Sequence, residues 1–281
     1  MPQIIDGKQI AMQIKEELKE RVARLKQEGK SVCLAVIQVG NDPASTVYVN
    51  GKKKDCAYIG IESRSYELPE ETKEEELLAL LDQLNHTGDV HGILVQLPLP
   101  SHMDESKVVK AIDPAKDVDG FHPVNIGKLC IGGDGFDCCT PAGVIQLLKR
   151  SGISIRGREC VVVGRSNNVG KPTALLLLRE NGTVTIAHSQ TKDLKEITKR
   201  ADILVAAVGK PKFKEKEKEY IKENAVVIDV GIHRNEDNVL CGDVDYDDVI
   251  EKVGAITPVP GGVGPMTRAM LMYNCVEAAC K

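Results

Sequence analysis

The chain has 281 residues, 42% of them hydrophobic and 28% charged, with a formal net charge of −4 at pH 7. This is the composition of a globular protein with room for one large or two ordinary cores, and its charge gives no reason to expect nucleic acid or an anionic membrane as partner. With no Trp and three Phe, it also lacks the aromatic supply of a stacking platform for single-stranded nucleic acid.

The N-terminal Met1-Pro-Gln-Ile-Ile-Asp6 has neither the basic nor the apolar region of a signal peptide. No apolar run reaches the length of a membrane span. Nine cysteines without a C-x-x-C pair argue for reduced thiols, no zinc site and a cytoplasmic location.

Asp6 is placed to cap a helix running to about Gly29, on which Ile10, Ile14, Leu18, Val22 and Leu25 form one apolar stripe. Val32 to Val39 reads as a buried strand, stopped by Gly40 and an Asn-Asp-Pro turn. A helix from about Ala44 to Tyr58, a weaker strand from Ile61 to Leu68 and an acidic helix from Thr72 to Asn85 follow. Gly92 to Pro100 is a strongly apolar strand that ends in prolines, Asp104 to Ile112 a helix, and Asp117 to about Cys139 a Gly- and Asp-rich loop. Thr140-Pro141 opens a helix with proline at its first position, which ends near Gly152.

Strands at Cys160–Val163, Thr183–Ala187, Ile203–Ala207, Val226–Val230 and Ala255–Thr257 alternate with helical stretches. That alternation is the pattern of a doubly wound parallel sheet. Lys210 to Asn224, dense in Lys and Glu, reads as a solvated face. The expected fold is therefore α/β, with an N-terminal domain (1–139 plus 258–281) and a C-terminal Rossmann domain (140–257). The apolar C-terminal helix, carrying Met270, Leu271 and Val276, is expected to pack back on the first domain.

Val163-Gly164-Arg165-Ser166-x-x-Val169-Gly170 joins a strand to a helix, where free N–H groups and the helix dipole favour a phosphate. It is an imperfect G-x-G-x-x-G, since Ser166 stands at the second glycine, and any α/β turn can look similar. After the next strand, Ala187-His188-Ser189 offers no acid for the ribose hydroxyls of NAD. Arg165 and Ser189 can instead hold a 2′-phosphate, so the expected cofactor is NADP. Lys171, also in this loop, adds to phosphate affinity or faces solvent.

Ser45, Tyr48 and Lys52 share one helical face. A desolvated lysine there can serve as general acid or base, although an ordinary amphipathic helix with a snorkelling lysine has the same spacing. Tyr-x-x-x-Lys also occurs in short-chain dehydrogenases, but there it lies downstream of the glycine loop and here upstream. Gln96 interrupts an apolar strand near its C-terminal end, where open α/β sheets bind ligands. Asp117 and Asp119 fit turn caps or ligands, but no carboxylate or His cluster of metal-binding spacing accompanies them. His122, His188 and His233 are scattered. The Pro258–Pro265 stretch is a linker or a backbone surface for a flat ligand.

Together, Ala44-Ser45-x-x-Tyr48-Val-x-x-Lys52, Gly92-Ile-Leu-Val95-Gln96-Leu97-Pro-Leu-Pro100, Lys116-Asp-Val-Asp119-Gly-Phe-His-Pro123, the Gly164 loop, His188-Ser189-x-Thr191 and Pro258-Val-Pro-Gly-Gly-Val-Gly-Pro-Met-Thr267 resemble the bifunctional methylenetetrahydrofolate dehydrogenase/methenyltetrahydrofolate cyclohydrolase family over essentially the whole chain. The resemblance implies NADP-linked oxidation of a folate-borne methylene group and hydrolysis of the methenyl product to 10-formyltetrahydrofolate, without a metal. It implies Lys52 as acid/base aided by Gln96, Tyr48 stacking on the aminobenzoyl ring and Asp119 binding the pterin. Further folate contacts would come from Val95, Leu97, Pro258, Gly261, Gly262 and Gly264, and cofactor contacts from Gly164, Arg165, Ser166, Ser189 and Ile232. It also implies a homodimer. A shikimate-dehydrogenase-like oxidoreductase leaves Gln96 and the Pro258 loop without a role. A catalytically silent dinucleotide or folate sensor has no need of Lys52, Gln96 and Asp119 together.

Overall fold

The computed structural model describes residues 1–210, 216–235 and 237–281, and all of their side chains but that of Ala44. The chain forms two compact units, one of Met12–Cys139 with Arg268–Lys281 and one of Met1–Ala11 with Thr140–Thr267.

In chain order the elements are β1 (Gln3–Ile4), α1 (Gly7–Gln27), β2 (Cys33–Val39), α2 (Pro43–Ile59), β3 (Glu62–Leu68), α3 (Glu74–His86), β4 (Gly92–Val95), α4 (Glu105–Ala111), α5 (Pro123–Ile131) and α6 (Cys139–Arg150). They continue with β5 (Glu159–Val163), α7 (Gly170–Arg179), β6 (Thr183–Ala187), α8 (Leu194–Thr198), β7 (Ile203–Ala206), β8 (Val226–Asp229), β9 (His233–Arg234), β10 (Leu240–Cys241), α9 (Tyr246–Val249), β11 (Ala255–Ile256) and α10 (Val263–Cys280).

The first unit is built on a parallel three-stranded sheet, β3-β2-β4. Every residue of central β2 is buried, as a strand covered on both faces requires. Ile37, Ile93 and Val95 pack there with Leu77, Leu81 and Leu84 of α3. Asp42 caps α2 by accepting from the Ser45 N–H at 2.7 Å, with Pro43 beside it and Gly60 ending the helix in the left-handed region. The α1 stripe Ile10, Ile14, Leu18, Val22 and Leu25 is buried throughout. The C-terminal helix returns to this unit, where Asn274 donates to the carbonyls of Val118 (2.9 Å) and Asp137 (3.0 Å).

The second unit is a six-stranded parallel sheet in the order β1-β11-β8-β7-β5-β6. Counting this sheet's strands in chain order, they run third, second, fourth, fifth, sixth and first from β6 inwards, a doubly wound arrangement whose direction reverses at β5. The Gly164 loop leaves β5 at that reversal point. The first residues of the chain extend this sheet through β1, which pairs in parallel with β11.

Three local expectations differ from the structure. The strand expected to continue to Pro100 stops at Val95: Gln96 N–H still donates to Ile37 O at 2.8 Å, but prolines 98 and 100 have no N–H to continue the ladder. The loop expected over Asp117–Cys139 contains α5, capped by the His122 ring, begun by Pro123 and ended by left-handed Gly132. Helix α6 begins at Cys139, which puts Pro141 at its third position. The Lys/Glu stretch Lys210–Asn224 lies partly outside the described residues, at 211–215.

Candidate active site

Helix α2 presents Lys52 inward: its side chain is in a residue only 9% exposed, whereas Tyr48, one turn earlier, is 42% exposed. The Lys52 Nζ donates to Gln96 Oε1 at 2.9 Å. Gln96 Nε2 is held by Leu97 O at 2.7 Å, which leaves the oxygen as the atom facing the lysine. A neutral amide accepts from an amine or an ammonium without locking in the charge, as a carboxylate would. Burial lowers the pKa of Lys52, while the negative charge of Asp119 opposes it and Arg268 adds to the lowering. Burial likewise raises the Asp119 carboxyl, against the pull of Lys52. Both shifts favour the neutral forms.

Arg268 passes over Gly51: a Cβ there would sit 2.2 Å from Arg268 Nη1. The guanidinium also lies 3.3 Å from Asp55, which Lys15 holds from the other side at 2.8 Å. Cys139, whose thiol donates to Val118 O at 3.2 Å, also faces Lys52 and Asp119.

Other expected site residues have different surroundings. Asp117 is a buried cap, accepting from the N–H groups of Phe121 and His122 and from Asn125 Nδ2. Val95 is in the hydrophobic core and half-buried Leu97 packs against it. In the second unit, Gly261 and Gly262 fold against the start of α1: Lys8 N–H donates to Gly261 O at 3.0 Å, and a Cβ on Gly7 would meet Gly262 O at 1.8 Å. Their glycines thus have a packing reason. Pro258 is half-buried and Gly264 exposed.

The glycine loop has the close backbone packing a dinucleotide requires. Gly164 has φ +135°, and a Cβ on it would lie 2.1 Å from Ala207 O. A Cβ on Gly170 would lie 2.4 Å from Gly164 O. Ser166 Oγ accepts from Gly170 N–H at 3.2 Å, so its own proton remains a donor at the mouth of α7. Arg165, Ser166, Ser189 and Ile232 are all exposed, and no acid follows β6. These residues fit a phosphorylated dinucleotide. Lys171 Nζ is turned to Asn167 Oδ1, at 2.7 Å on the exposed side of the loop.

Gly164→Ala is expected to cost about 1–3 kcal/mol from the forced displacement alone, with further strain from the left-handed backbone. Thermal melting and an NADP titration would register it as lower stability together with weakened binding.

Residues 5–119 match the model of the tetrahydrofolate dehydrogenase/cyclohydrolase catalytic domain, and residues 138–281 that of the same family's NAD(P)-binding domain. The chain belongs to the tetrahydrofolate dehydrogenase/cyclohydrolase family. It is 70% identical to the bifunctional protein FolD of Lachnoclostridium phytofermentans, over all of this chain and 99% of that one. Among solved structures, the bifunctional FolD methylenetetrahydrofolate dehydrogenase/cyclohydrolase of Campylobacter jejuni is 48% identical with a TM-score of 0.97, over 100% of this chain and 99% of its own. The Trypanosoma brucei methylenetetrahydrofolate dehydrogenase-cyclohydrolase, solved with NADP and an inhibitor, is 39% identical with a TM-score of 0.92, over 100% and 98%. The family accounts for both units: a catalytic α/β domain and a Rossmann-like NAD(P)-binding domain. Among the described residues no group of His, Cys, Asp or Glu could hold a metal ion, and no helix is long and apolar enough to cross a membrane.

Proposed function

We infer that this protein oxidises 5,10-methylenetetrahydrofolate to 5,10-methenyltetrahydrofolate with NADP and hydrolyses the product to 10-formyltetrahydrofolate. The observation that carries this reading is the buried Lys52 amine, depressed in pKa and held 2.9 Å from Gln96 Oε1, in a chain whose other unit has a dinucleotide loop. NADP would supply the acceptor for the hydride leaving the methylene carbon. Gly164, Arg165, Ser166, Ser189 and Ile232 would hold it.

The remaining chemistry falls to the first unit. Lys52 Nζ takes a proton from water as the water oxygen bonds to the methenyl carbon. The resulting ammonium returns a proton to the ring nitrogen that leaves this carbon, and the carbinol proton passes to solvent. The substrate is itself a cation, which lowers the pKa of Lys52 further by repulsion. Gln96 orients Nζ throughout. Exposed Tyr48 offers a ring face to the aminobenzoyl group, and Asp119 offers its carboxyl to the pterin. Val95, Leu97, Pro258, Gly261, Gly262 and Gly264 are assigned to folate by the family pattern, the first two within or against a packed core.

By function, 1–139 with 258–281 is assigned to folate and catalysis and 140–257 to NADP, although Met1–Ala11 and residues 258–267 belong to the second compact unit. A cytoplasmic homodimer completes the reading, and sedimentation velocity tests the dimer. The central test follows methylenetetrahydrofolate with NADP and with NAD, recording reduced nicotinamide and methenyl absorbance together. Reduced cofactor without lasting methenyl absorbance is the expected result. Accumulating methenyl species would refute the cyclohydrolase, and no change with either cofactor would refute the whole reading.

The pH dependence has a definite sign. A lysine base must be neutral, so the hydrolytic rate rises with pH through its pKa. Asp119 holds that pKa up. Asp119→Asn is therefore expected to move the rising limb of the cyclohydrolase kcat profile to lower pH, whatever it does to KM. A limb that stays in place or moves up would contradict the electrostatic coupling.

A further inference from the structure

Two buried carboxylates in the second unit have no part in the acid/base chemistry. Asp243 is fully buried, where a charge persists only with partners. Its Oδ2 accepts from Val208 N–H at 2.5 Å and Gly209 N–H at 3.2 Å. Its Oδ1 accepts from Lys210 N–H at 3.2 Å and lies 2.6 Å from His233 Nε2. Three successive backbone N–H groups converging in this way form an anion cradle, and the protein fills it with its own side chain.

Asp229, the last residue of β8, holds the other side of the cluster. It accepts from the N–H groups of Gly231, Asp243 and Val244, each at 2.9 Å. Glycines make room for both acids: a Cβ on Gly231 would lie 2.3 Å from Asp243 Oδ1, and one on Gly242 1.9 Å from Asp229 Oδ2. Burial pushes the Asp229 carboxyl up to about 6, against its three N–H donors.

The loops tied together here leave the C-terminal ends of β7 and β8, the edge at which such sheets bind ligands. The loop after β7 begins with Ala207, whose carbonyl oxygen is the atom a Cβ on Gly164 would strike. The loop after β8 carries Ile232 directly before His233. A shift of either loop therefore moves the ground on which the glycine loop and Ile232 rest.

We propose that Asp243, oriented through His233, is a positioning residue for the cofactor: it fixes residues 207–210 after β7 and 230–232 after β8 in the arrangement that NADP binds. This rests on reading Gly164, Arg165, Ser166 and Ile232 as the cofactor site.

The test compares Asp243→Asn, His233→Ala and His233→Gln with the wild type in NADP titrations, and in KM for NADP against dehydrogenase kcat at saturation. Cyclohydrolase turnover of added methenyltetrahydrofolate, which needs no NADP, reports whether each protein is folded. Asp243→Asn should weaken NADP binding about tenfold, about 1.4 kcal/mol, and raise KM with kcat little changed. His233→Ala should weaken binding severalfold, and His233→Gln, which keeps a donor for Oδ1, should restore most of it. A merely structural role would lower melting temperature without that split or that rescue. If Asp243→Asn fails to fold, the two His233 variants decide. A folded Asp243→Asn protein with wild-type NADP affinity, or His233 variants that bind NADP alike, overturns the proposal. A wild type that does not bind NADP would instead overturn the functional reading on which it stands.

Discussion

Lys52→Met is expected to lose at least about a hundredfold of cyclohydrolase turnover, the lower range of what a positioned acid/base group supplies, with NADP affinity unchanged. Methionine matches the lysine stem in length and brings no charge into a buried position, so the fold has no new penalty to absorb; removing a desolvated amine is neutral or stabilising. The chief local loss is the partner of Gln96 Oε1. The NADP loop belongs to the other compact unit. The measurement is decay of methenyl absorbance in the absence of cofactor, paired with an NADP titration of the same preparation. Retained hydrolysis would remove Lys52 from the mechanism. Loss of both hydrolysis and NADP binding would indicate a folding defect, which a melting curve would expose.

Lys52 and Gln96 were legible as candidates because each breaks its local pattern: a charge on a helix face that includes buried Ser45, and an amide after an apolar strand. Their partnership was not legible. The hydrogen bond spans 44 residues, and its geometry comes from β4 pairing with β2, not from any spacing along the chain. The same limit hid Arg268, which lies over Gly51. It also hid the His233–Asp243 pair, since His233 looked like one of several scattered histidines. Helix α5 was a different kind of miss. Pro123 and Gly132 are proper start and stop signals, but glycines at 127, 133 and 135 made the stretch read as loop. Conversely, the doubly wound sheet was plain, because fully buried parallel strands such as β7 appear as short apolar runs between helices. The glycines of the Pro258 loop were readable as backbone that must come close to something. Part of that something is the start of α1.

Cofactor choice makes the second large expectation. Arg165→Ala should weaken NADP about tenfold to a hundredfold while leaving NAD affinity nearly unchanged, since a charge-assisted hydrogen bond to the 2′-phosphate is worth about 1.5–3 kcal/mol and each 1.4 kcal/mol is tenfold. Arg165→Lys should fall between, because an ammonium keeps the charge but not the planar fork. Ser189→Asp should go further and reverse the preference. It places an acid after β6, where it can accept from the ribose hydroxyls of NAD and repel a 2′-phosphate, combining a gained contact with a new repulsion. Both side chains are exposed, so neither change disturbs packing. The ratio of kcat/KM for the two cofactors isolates the effect from any general loss of activity. An unchanged ratio in Arg165→Ala would take the 2′-phosphate away from this loop, and with it the reason to expect NADP from Arg165 and Ser189.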